Sequence, residues 1–335
     1  MSKVFFREAI VRALDEQMRA DPRVILLGQD IGTFGGAYRE FAGLYSTFGA
    51  ARVRDMPVAE QAMVAIGIGA AAGGLRPLVN ITYMDFLMLA LDPLVNYAAK
   101  VRYKTGGQVT APVVIKTTAG ARGQGVAHSQ CLEAWLMAVP GLRVVAPSNA
   151  ADAYFLLSGA LRHDGPVVFV DHKRLFPTAG ELTADPPFAM GRAAVARAGD
   201  DLTIVAHSYM VTVALAAAVE LARSGISCEV VDLRSLAPLD VDCICDSVAR
   251  TRRMLTLEEG QVVCGVGAEV AYRVTERLGP LRVSRIGALP APVSSNPVLE
   301  RLCVPDVGRV VASARRLLDD HEDRRGGGLS IREAT

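Results

Sequence analysis

The sequence lacks the features that would assign it to several specialised classes of protein. It has 36 Lys and Arg against 35 Asp and Glu, a formal net charge of +1, so no charge excess points to nucleic acid or to an anionic membrane. No apolar run reaches the ~20 residues that a membrane-spanning helix needs. The first residues enter a helical pattern without a signal-peptide core. We therefore expect no nucleic-acid partner, no membrane partner and a cytoplasmic location.

The sequence also lacks a cysteine framework and internal repeats. Its six cysteines have no metal-type or disulfide-type spacing, and Cys243 and Cys245 are separated by one residue, which suits neither a redox pair nor a zinc knuckle. We predict six reduced thiols, most of them buried. In contrast, hydrophobic residues make up 51% of 335 positions. A chain of this length and composition predicts two domains, each with its own core.

Short continuous apolar runs alternate with segments of helical spacing along the chain. They predict strands at residues 24–28, 76–83, 112–116, 143–146, 167–170, 202–206, 228–233, 254–259 and 281–286, and helices at 5–21, 84–101, 132–139, 150–162 and 211–224. This alternation is typical of parallel sheets covered by helices on both faces. A proline-rich linker at 177–187 divides two parallel-sheet α/β domains, predicted at 1–185 and 186–320. A disordered tail is predicted at 321–335.

One carboxylate, Glu60, begins a segment that has no other charge until Arg76. Pro57 suits the first turn of a helix, and a negative side chain there interacts favourably with the helix dipole. The following residues are mostly Ala, Gly, Val and Ile, which predicts a buried helix that a neighbour can approach closely. From these residues alone, Glu60 is either a helix cap or an ionisable group at the edge of a buried site.

The second candidate is His128, which lies in a loop with glycine at 120, 123 and 125. Glycine lets the backbone pass close to a ligand or move. A lone histidine is more often structural, so the loop by itself leaves the role of His128 open. Residues 29–36 are also rich in glycine, but they lack the spacing of a dinucleotide-binding motif, and a tight turn explains them better.

Eight motifs in a fixed order carry a resemblance to a known family. They are LGQDIG (27–32), RVRDMPVAEQ (52–61), DF (85–86), NYAAK (96–100), HSQ (128–130), PGLRVV (140–145), DLRSLAPLD (232–240) and EEG (258–260). Together they span nearly the whole chain, from about residue 4 to about residue 318. Through these motifs and their order, the chain resembles the beta subunit of the decarboxylating, thiamine-diphosphate-dependent component of 2-oxo acid dehydrogenase complexes. That family acts on pyruvate, acetoin or branched-chain 2-oxo acids and shares its fold with transketolase, so a pyrimidine-binding domain and a transketolase C-terminal-like domain are implied.

The resemblance implies specific roles for four side chains. In this family the glutamate at the position of Glu60 hydrogen-bonds the aminopyrimidine ring of thiamine diphosphate and favours the tautomer that deprotonates the thiazolium carbon. Phe86 matches an aromatic residue that lies against that ring, with plain core packing as the alternative. Thr82 lines the same pocket. His128 matches a histidine that helps to transfer the acyl group to the lipoyl arm of the next enzyme.

The resemblance also implies ions and partner chains. A potassium ion would be held by the backbone carbonyls of Val113, Ala160, Leu161, His163 and Gly165. Thiamine enzymes bind the diphosphate through Mg²⁺ and a Gly-Asp-Gly motif, which this sequence lacks. A separate alpha subunit is therefore expected to bind most of the Mg²⁺-diphosphate, in an α2β2 assembly with Glu60 at the α–β interface. A lipoyl acyltransferase component is expected to dock on the C-terminal domain.

Three departures from the family pattern stand out. Asn80 stands where the family usually has glutamate, residues 287–292 lack an aspartate common in that turn, and residues 171–176 are nearer the acetoin and pyruvate type than the branched-chain type. For Asn80 three explanations stay open: an altered substrate, a specialised carbon–carbon bond-forming role, or neutral drift.

Three hypotheses for the function follow. The leading hypothesis is decarboxylation of a 2-oxo acid, or cleavage of acetoin, with acyl transfer to lipoamide. The second is a carboligase or split-transketolase-type subunit that works without lipoamide. The third is a non-catalytic partner of an alpha chain, and the presence of both Glu60 and His128 argues against it.

Overall fold

The structure, a computed structural model, describes residues 3–183 and 189–319, in which helices alternate with strands. The strands are β1 (Val4–Phe5), β2 (Val24–Gly28), β3 (Val53–Asp55), β4 (Arg76–Ile81), β5 (Val114–Ala119), β6 (Arg143–Val145), β7 (Val167–His172), β8 (Ala179–Gly180), β9 (Ala194–Arg197), β10 (Leu202–Ala206), β11 (Cys228–Asp232), β12 (Ser235–Ala237), β13 (Arg253–Gln261) and β14 (Arg282–Ala288). The α-helices are α1 (Phe6–Ala20), α2 (Leu44–Phe48), α3 (Glu60–Ala72), α4 (Val101–Lys104), α5 (Glu133–Met137), α6 (Ala150–Arg162), α7 (Tyr209–Ala222), α8 (Val241–Thr251), α9 (Val266–Leu278), α10 (Pro297–Cys303) and α11 (Val307–Asp319). The predicted α/β fold is confirmed.

The first large sheet has seven strands in the order β12-β6-β7-β5-β4-β2-β3. Its pairs are parallel except for β12 with β6. Helices α1 and α6 pack together on one face, over a core that includes Phe6, Leu14 and Phe169. Helix α3 covers the other face, where Gly67 lies against Val79 of β4. Both faces are therefore buried, which explains why these strands are continuous apolar runs.

The second large sheet has five strands in the order β14-β13-β10-β11-β9. Helices α7 and α11 pack against each other on one of its faces, and helices α8 and α9 pack against each other and against the same sheet. Strand β9 runs antiparallel to β11 and closes one edge. The two central pairings, β10 with β11 and β10 with β13, are parallel as predicted.

An edge strand of the first sheet comes from the second half of the chain, which the sequence analysis did not predict. Strand β12 pairs antiparallel with β6, with Ser235 opposite Val145. Beside it, Arg234 forms a buried ion pair with Asp152 of α6 at 2.8 Å. The expectation of a purely parallel sheet that ends with residues 167–170 is therefore wrong at this edge. Pairing with β12 protects β6, which would otherwise be an open edge.

Two predicted helices differ from the structure. The long helix expected at 84–101 is a 3₁₀ segment (Met84–Ala90) and a π segment (Pro93–Ala98) before α4. Pro93 has no N–H to donate, so a regular helix cannot continue through it. Helix α3 begins at Glu60 rather than at Pro57, which lies outside the helix, and Ala59 is its N-cap. The helix is also not buried all round, because Ala62, Ile66 and Gly69 face outward.

The predicted domain boundary between 185 and 186 falls within residues 184–188, outside the described residues, and the predicted tail at 321–335 lies outside them as well. Both stay predictions. Within the described ranges, no helix combines the length and apolar character needed to cross a bilayer. All six cysteines are free thiols, as predicted. Only Cys228, Cys245 and Cys303 are buried, whereas Cys131 and Cys243 are half-buried and Cys264 is exposed, so the prediction that most of them are buried is wrong.

Candidate active site

The carboxyl ends of the parallel strands bring the predicted site residues to one edge of the first sheet. Strand β2 ends at Gly28 and leads to Gln29, and strand β4 ends at Ile81 and leads to Thr82. Strands β5 and β7 run in the same direction beside them. In parallel α/β sheets, ligands bind beyond the carboxyl ends of the strands. This edge is therefore the candidate site.

Glu60 is the first residue of α3, and only 6% of its surface is exposed. Gln29 Nε2 donates a hydrogen bond to Glu60 Oε1 at 3.2 Å. Among the described residues no other side chain bonds this carboxylate, so Oε2 remains available to a ligand. The positive end of the α3 dipole lies at the same point. The structure therefore places a fixed carboxylate at the mouth of the candidate site.

Phe86 and His128 are brought together with a residue that the sequence analysis missed, Tyr83. The rings of Tyr83 and His128 lie 4.6 Å apart at 88°, and those of Phe86 and His128 lie 5.4 Å apart at 82°. Both contacts are edge-to-face, an arrangement that aromatic rings favour. Half-buried Phe86 therefore packs against His128 and also keeps part of its ring accessible. Thr82 is half-buried next to this cluster, and its pocket role stays a prediction.

The loop that carries His128 is bonded to buried polar side chains of its own domain. Lys173 Nζ donates to the carbonyl of Gly120 at 2.8 Å and also to the carbonyl of His128. Asp85 accepts from the backbone and side-chain amides of Gln130, at 3.2 and 3.1 Å. Burial lowers the pKa of Lys173, and Asp85 partly offsets that effect.

Asn80, which departs from the family pattern, accepts a hydrogen bond from the buried side chain of Lys116 at 3.3 Å. The Lys116 ammonium also lies 2.8 Å from Asp171 and 3.6 Å from Glu40. Burial raises the pKa of Glu40, and Lys116 partly offsets this. Burial alone would lower the pKa of Lys116, but the two carboxyl groups outweigh it and raise that pKa. Asn80 therefore belongs to a buried cluster that already has two acidic groups for one ammonium.

Four of the five backbone carbonyls predicted to hold potassium, all except that of Gly165, accept a hydrogen bond in the structure. Arg76 Nη1 donates to the carbonyls of Leu161 and His163, at 3.2 and 3.0 Å. The carbonyl of Val113 accepts from strand β7 at 3.0 Å, and that of Ala160 accepts from the backbone of His163 at 3.1 Å. Arg76 thus supplies a positive charge where the potassium ion was expected. These oxygens do not form a ready-made cation site, and the potassium ion stays a prediction.

Three residues of the site were missed in the sequence: Gln29, Tyr83 and Lys173. Each lies just beyond the carboxyl end of a strand, because β2 ends at 28, β4 at 81 and β7 at 172. A polar or aromatic residue at such a position is the sequence signal that identifies them. Their partners, however, lie 31 to 53 positions away along the chain, so the contacts themselves become visible only in the fold.

Comparison with protein families gives two matches that divide the chain in the same order as its two sheets. The family described as "Transketolase, pyrimidine binding domain" matches residues 2–178. The family described as "Transketolase, C-terminal domain" matches residues 191–310. Glu60, Thr82, Phe86 and His128 all lie within the first match.

Among curated proteins, the chain is similar to the "Pyruvate dehydrogenase E1 component subunit beta-1, mitochondrial" of Oryza sativa subsp. japonica, with 43% identity over 92% of this chain and 85% of that protein. It is also similar to the "Pyruvate dehydrogenase E1 component subunit beta" of Rhizobium meliloti, with 38% identity over 94% of this chain and 70% of that protein. Among solved structures, it is similar to a "Split gene transketolase, inactive beta4 tetramer", with a TM-score of 0.78 and 26% identity over 94% of this chain and 98% of that one.

Proposed function

Because this chain belongs to the family of pyruvate dehydrogenase E1 beta subunits, built from the transketolase pyrimidine-binding and C-terminal domains, we propose that it works with an alpha subunit to decarboxylate a pyruvate-type 2-oxo acid. It is the beta subunit of a thiamine-diphosphate-dependent 2-oxo acid dehydrogenase. The observation that carries the finer proposal is the buried carboxylate of Glu60, fixed by Gln29 at 3.2 Å with one oxygen available.

The residues present fit the pyrimidine half of thiamine diphosphate. Glu60 offers an acceptor oxygen that can share a proton with a ring nitrogen in a water-poor site. Phe86 offers a half-buried ring face beside His128. When bound, thiamine diphosphate supplies the electron sink for loss of carbon dioxide, and the protein supplies orientation and electrostatics. The role of Glu60 is to hold and orient the ring by sharing a proton with its nitrogen through Oε2.

The diphosphate half is the part that we assign to an alpha subunit. The sequence lacks the Gly-Asp-Gly motif that would hold Mg²⁺. The outward face of α3 and the adjoining 3₁₀ and π segments expose Ile66, Met88, Leu89 and Tyr97. Apolar residues exposed together next to a half-complete site support a partner chain at this surface. An α2β2 assembly with Mg²⁺ held mainly by the alpha subunit follows from this proposal.

His128 supports acyl transfer to lipoamide as the second half of the reaction. Its imidazole lies on a loop at the candidate site and makes edge-to-face contacts with the rings of Tyr83 and Phe86. A histidine in that position can donate or accept a proton as the acyl group leaves for a thiol. We therefore propose a lipoyl acyltransferase component as the acceptor. Acetoin cleavage remains a variant of the same proposal, because it uses the same residues.

A second candidate function is a split-transketolase-type carboligase subunit that works without lipoamide. It is favoured by one observation, the likeness to the "Split gene transketolase, inactive beta4 tetramer" over 94% of the chain. The higher identity to pyruvate dehydrogenase subunits, 43% against 26%, ranks it second. A non-catalytic partner of an alpha chain ranks third, since a scaffold has no use for a fixed carboxylate and an oriented histidine.

Two further parts of the proposal have less support from the residues. A cytoplasmic location is proposed because the six cysteines are free thiols, as in a reducing compartment. Potassium at the carbonyls of Val113, Ala160, Leu161, His163 and Gly165 is retained only as an optional ion, because the guanidinium of Arg76 already bonds two of those oxygens.

The test is co-expression of this chain with a candidate alpha chain, followed by two assays on the purified pair. Pyruvate, branched-chain 2-oxo acids and acetoin are supplied first with an artificial electron acceptor and then with a lipoyl acceptor. We expect turnover of a 2-oxo acid or acetoin in both assays. Turnover with the artificial acceptor alone, together with ligation of aldehyde acceptors, would favour the carboligase. A pair that binds thiamine diphosphate but turns over none of these substrates would contradict the proposal.

A further inference from the structure

The loop that carries His128 has no secondary structure of its own to fix it. Residues 120–130 contain neither helix nor strand, and Gly120, Gly123 and Gly125 have φ angles of 89°, 76° and 78°. At Gly120 the positive φ is combined with crowding, because a Cβ would lie 1.8 Å from His172 Nε2. The position of His128 therefore depends on side chains that bond the loop backbone from outside.

Three consecutive residues at the end of strand β7 reach this loop or its anchors. His172 Nε2 lies 2.9 Å from Glu259 Oε2. Lys173 Nζ donates to two loop carbonyls, including that of His128. Arg174 Nε donates to the carbonyl of Ala121 at 2.8 Å. The basic residues 172–174 thus form one side of a set of contacts around the loop. We call this set, completed by Glu259 and Glu300, the brace.

The other side of the brace comes from two carboxylates that follow residue 189 and belong to the second sheet and its helices. The N–H of Ala121 donates to Glu259 Oε1 at 2.6 Å, and the N–H of Gly123 donates to Glu300 Oε2 at 2.5 Å. The second oxygen of Glu300 pairs with Arg174 at 2.7 Å. Both carboxylates are buried. Hydrogen bonds to ionised groups are about twice as strong as neutral ones, so these two N–H contacts are strong restraints on the loop.

Glu259 is held as an anion by its surroundings. Burial alone would raise its pKa, but His172 and the Ala121 N–H outweigh burial and bring the pKa below its ordinary value. The Nδ1 atom of His172 accepts the N–H of Arg174 at 3.1 Å, so the ring proton is on Nε2 and is donated to Glu259. Cys131 also lies within 4.8 Å of both groups. Because both ring nitrogens are already bonded, this cluster is a brace and not a metal site.

We propose that Glu259 and Glu300 are positioning residues for His128, and that through them the second domain controls acyl transfer. The inference rests on the acyl-transfer role proposed for His128. Each carboxylate joins a loop N–H to a basic residue at the end of β7, so the loop is fixed between the two halves of the chain. Glu60 lies on α3, and within residues 3–183 and 189–319 its side-chain hydrogen bond goes to Gln29, not to any member of this brace. Loss of the brace should therefore slow acyl transfer, the step that needs His128, and should not change decarboxylation, the step that needs Glu60.

The test compares Glu300→Ala and Glu300→Gln in the assembled enzyme with its alpha subunit. Alanine removes the bonds to Gly123 and Arg174, whereas glutamine keeps an acceptor for the Gly123 N–H. With a lipoyl acceptor, we expect a fall of kcat of about tenfold for alanine and a smaller fall for glutamine, since losing a charged hydrogen bond corresponds to about this factor. With an artificial electron acceptor, we expect less than about a twofold change, within the scatter of distant substitutions.

Glu229→Gln is the matched control, because Glu229 is also a buried carboxylate of the second sheet and pairs with Arg250 at 2.5 Å without touching the loop. It should leave both reactions unchanged. Equal losses in the two assays for Glu300→Ala would show a merely structural role and overturn the proposal. So would a Glu300→Ala enzyme that acylates the lipoyl acceptor at the wild-type rate.

Hydrogen–deuterium exchange provides a readout that does not depend on the reaction. The peptide that spans residues 120–131 should exchange faster in Glu300→Ala than in wild type, and at the wild-type rate in Glu229→Gln. Unchanged exchange in Glu300→Ala would overturn the brace whatever the kinetics show. A third outcome separates the two proposals. If Glu300→Ala exchanges faster but the wild-type enzyme turns over neither a 2-oxo acid nor acetoin, the proposed function is refuted and the brace alone is supported.

Discussion

Two side chains, Gln29 and Glu60, set the geometry on which the proposed chemistry of the candidate site depends. They lie 31 positions apart in sequence, and strand β2 and helix α3 bring them within 3.2 Å. The Gln29 amide occupies one oxygen of the carboxylate and so fixes the direction of the other. A group that must share a proton with a ring nitrogen needs this kind of fixed direction as much as it needs a suitable pKa.

Asn80 is explained by the same reasoning about neighbouring charges. Lys116 already has Asp171 at 2.8 Å and Glu40 at 3.6 Å, and all three side chains are buried. A glutamate at position 80 would add a third acidic group beside one ammonium, which would disfavour ionisation of the set. Asparagine accepts the hydrogen bond of Lys116 without adding charge. Local charge balance is thus a physical reason for asparagine at this position that involves no change of substrate.

Glu133 yields a prediction about stability and pH. It lies buried in the first turn of α5, and burial, together with Glu259 and Glu258, raises its pKa from 4.5 to about 8. Between these two values the unfolded chain loses a proton that the folded chain keeps. The free energy of unfolding should therefore fall as the pH rises from 4.5 to 8, with a slope of at most about 1.4 kcal/mol per pH unit from this group.

Glutamine at position 133 cannot titrate, so Glu133→Gln should remove this slope. Urea unfolding of the isolated chain at pH 5 and at pH 8 measures the effect. We expect the free energy of unfolding of the variant, relative to that of wild type, to be higher at pH 8 than at pH 5. If the difference in free energy of unfolding between variant and wild type is the same at pH 5 and at pH 8, Glu133 does not hold its proton in the folded chain.

At the scale of helices and strands, the sequence predicts those elements whose pattern is strong and continuous. Strand β2 and helix α6 match their predicted bounds, 24–28 and 150–162, because glycine ends the first and Asn149 caps the second by accepting the N–H of Asp152. Short edge strands such as β9 and β12 were missed, since their sequences, AVAR and SLA, are not continuous apolar runs. The 3₁₀ and π segments were missed because the apolar spacing of residues 84–101 favours a helix, although Pro93 signals an interruption there.

The candidate site was predictable only in part for a related reason. Glu60 and His128 stand out because each is an ionisable residue in an apolar or glycine-rich stretch. Lys173 does not stand out, because it is one of three consecutive basic residues, a pattern typical of a solvated surface. In the fold this lysine is completely buried, because β7 ends beneath the loop at 120–130. Contacts between distant segments, and not local composition, determine such roles.

Helix α3 gives a prediction from two glycines on opposite faces. A Cβ at Gly67 would lie 2.4 Å from Val79 Cγ2, whereas a Cβ at Gly69 would meet nothing within 4 Å. Gly67→Ala should therefore lower the free energy of unfolding by about 1–3 kcal/mol through overpacking. Gly69→Ala should raise it by about 0.5–1 kcal/mol through helix propensity.

Urea unfolding of the two variants beside wild type provides the measurement, and each variant is the control for the other. Two changes of the same sign would contradict the close approach of α3 to strand β4. Gly69 lies on the face that we assign to the alpha subunit, so the measurement is made on the isolated chain.

At the scale of the whole molecule, the two sheets are joined by more than the linker. Strand β12 closes the first sheet, Arg234 pairs with Asp152, and Glu259 and Glu300 bond the His128 loop. The second half of the chain is thus part of the framework of a site whose candidate residues all lie in the first half. The sequence nevertheless lacks a diphosphate-binding motif, so a complete cofactor site requires a second chain.

This incompleteness predicts the behaviour of the isolated chain. Titration calorimetry with thiamine diphosphate and Mg²⁺ should detect no binding to this chain alone at concentrations that saturate the pair with its alpha subunit. The physical reason is that the diphosphate carries most of the charge that must be neutralised, and no motif here does so. Tight binding to the isolated chain would contradict the two-subunit account.

The most direct test of the central claim is the activity of Glu60→Gln in the assembled enzyme, measured with the artificial electron acceptor. Glutamine preserves the shape of the side chain and removes the carboxylate that shares the proton. We predict a fall in kcat of about 10²–10⁴-fold, the contribution typical of positioned acid–base groups, with assembly of the two subunits unchanged. A Glu60→Gln enzyme that is as active as wild type would contradict the account.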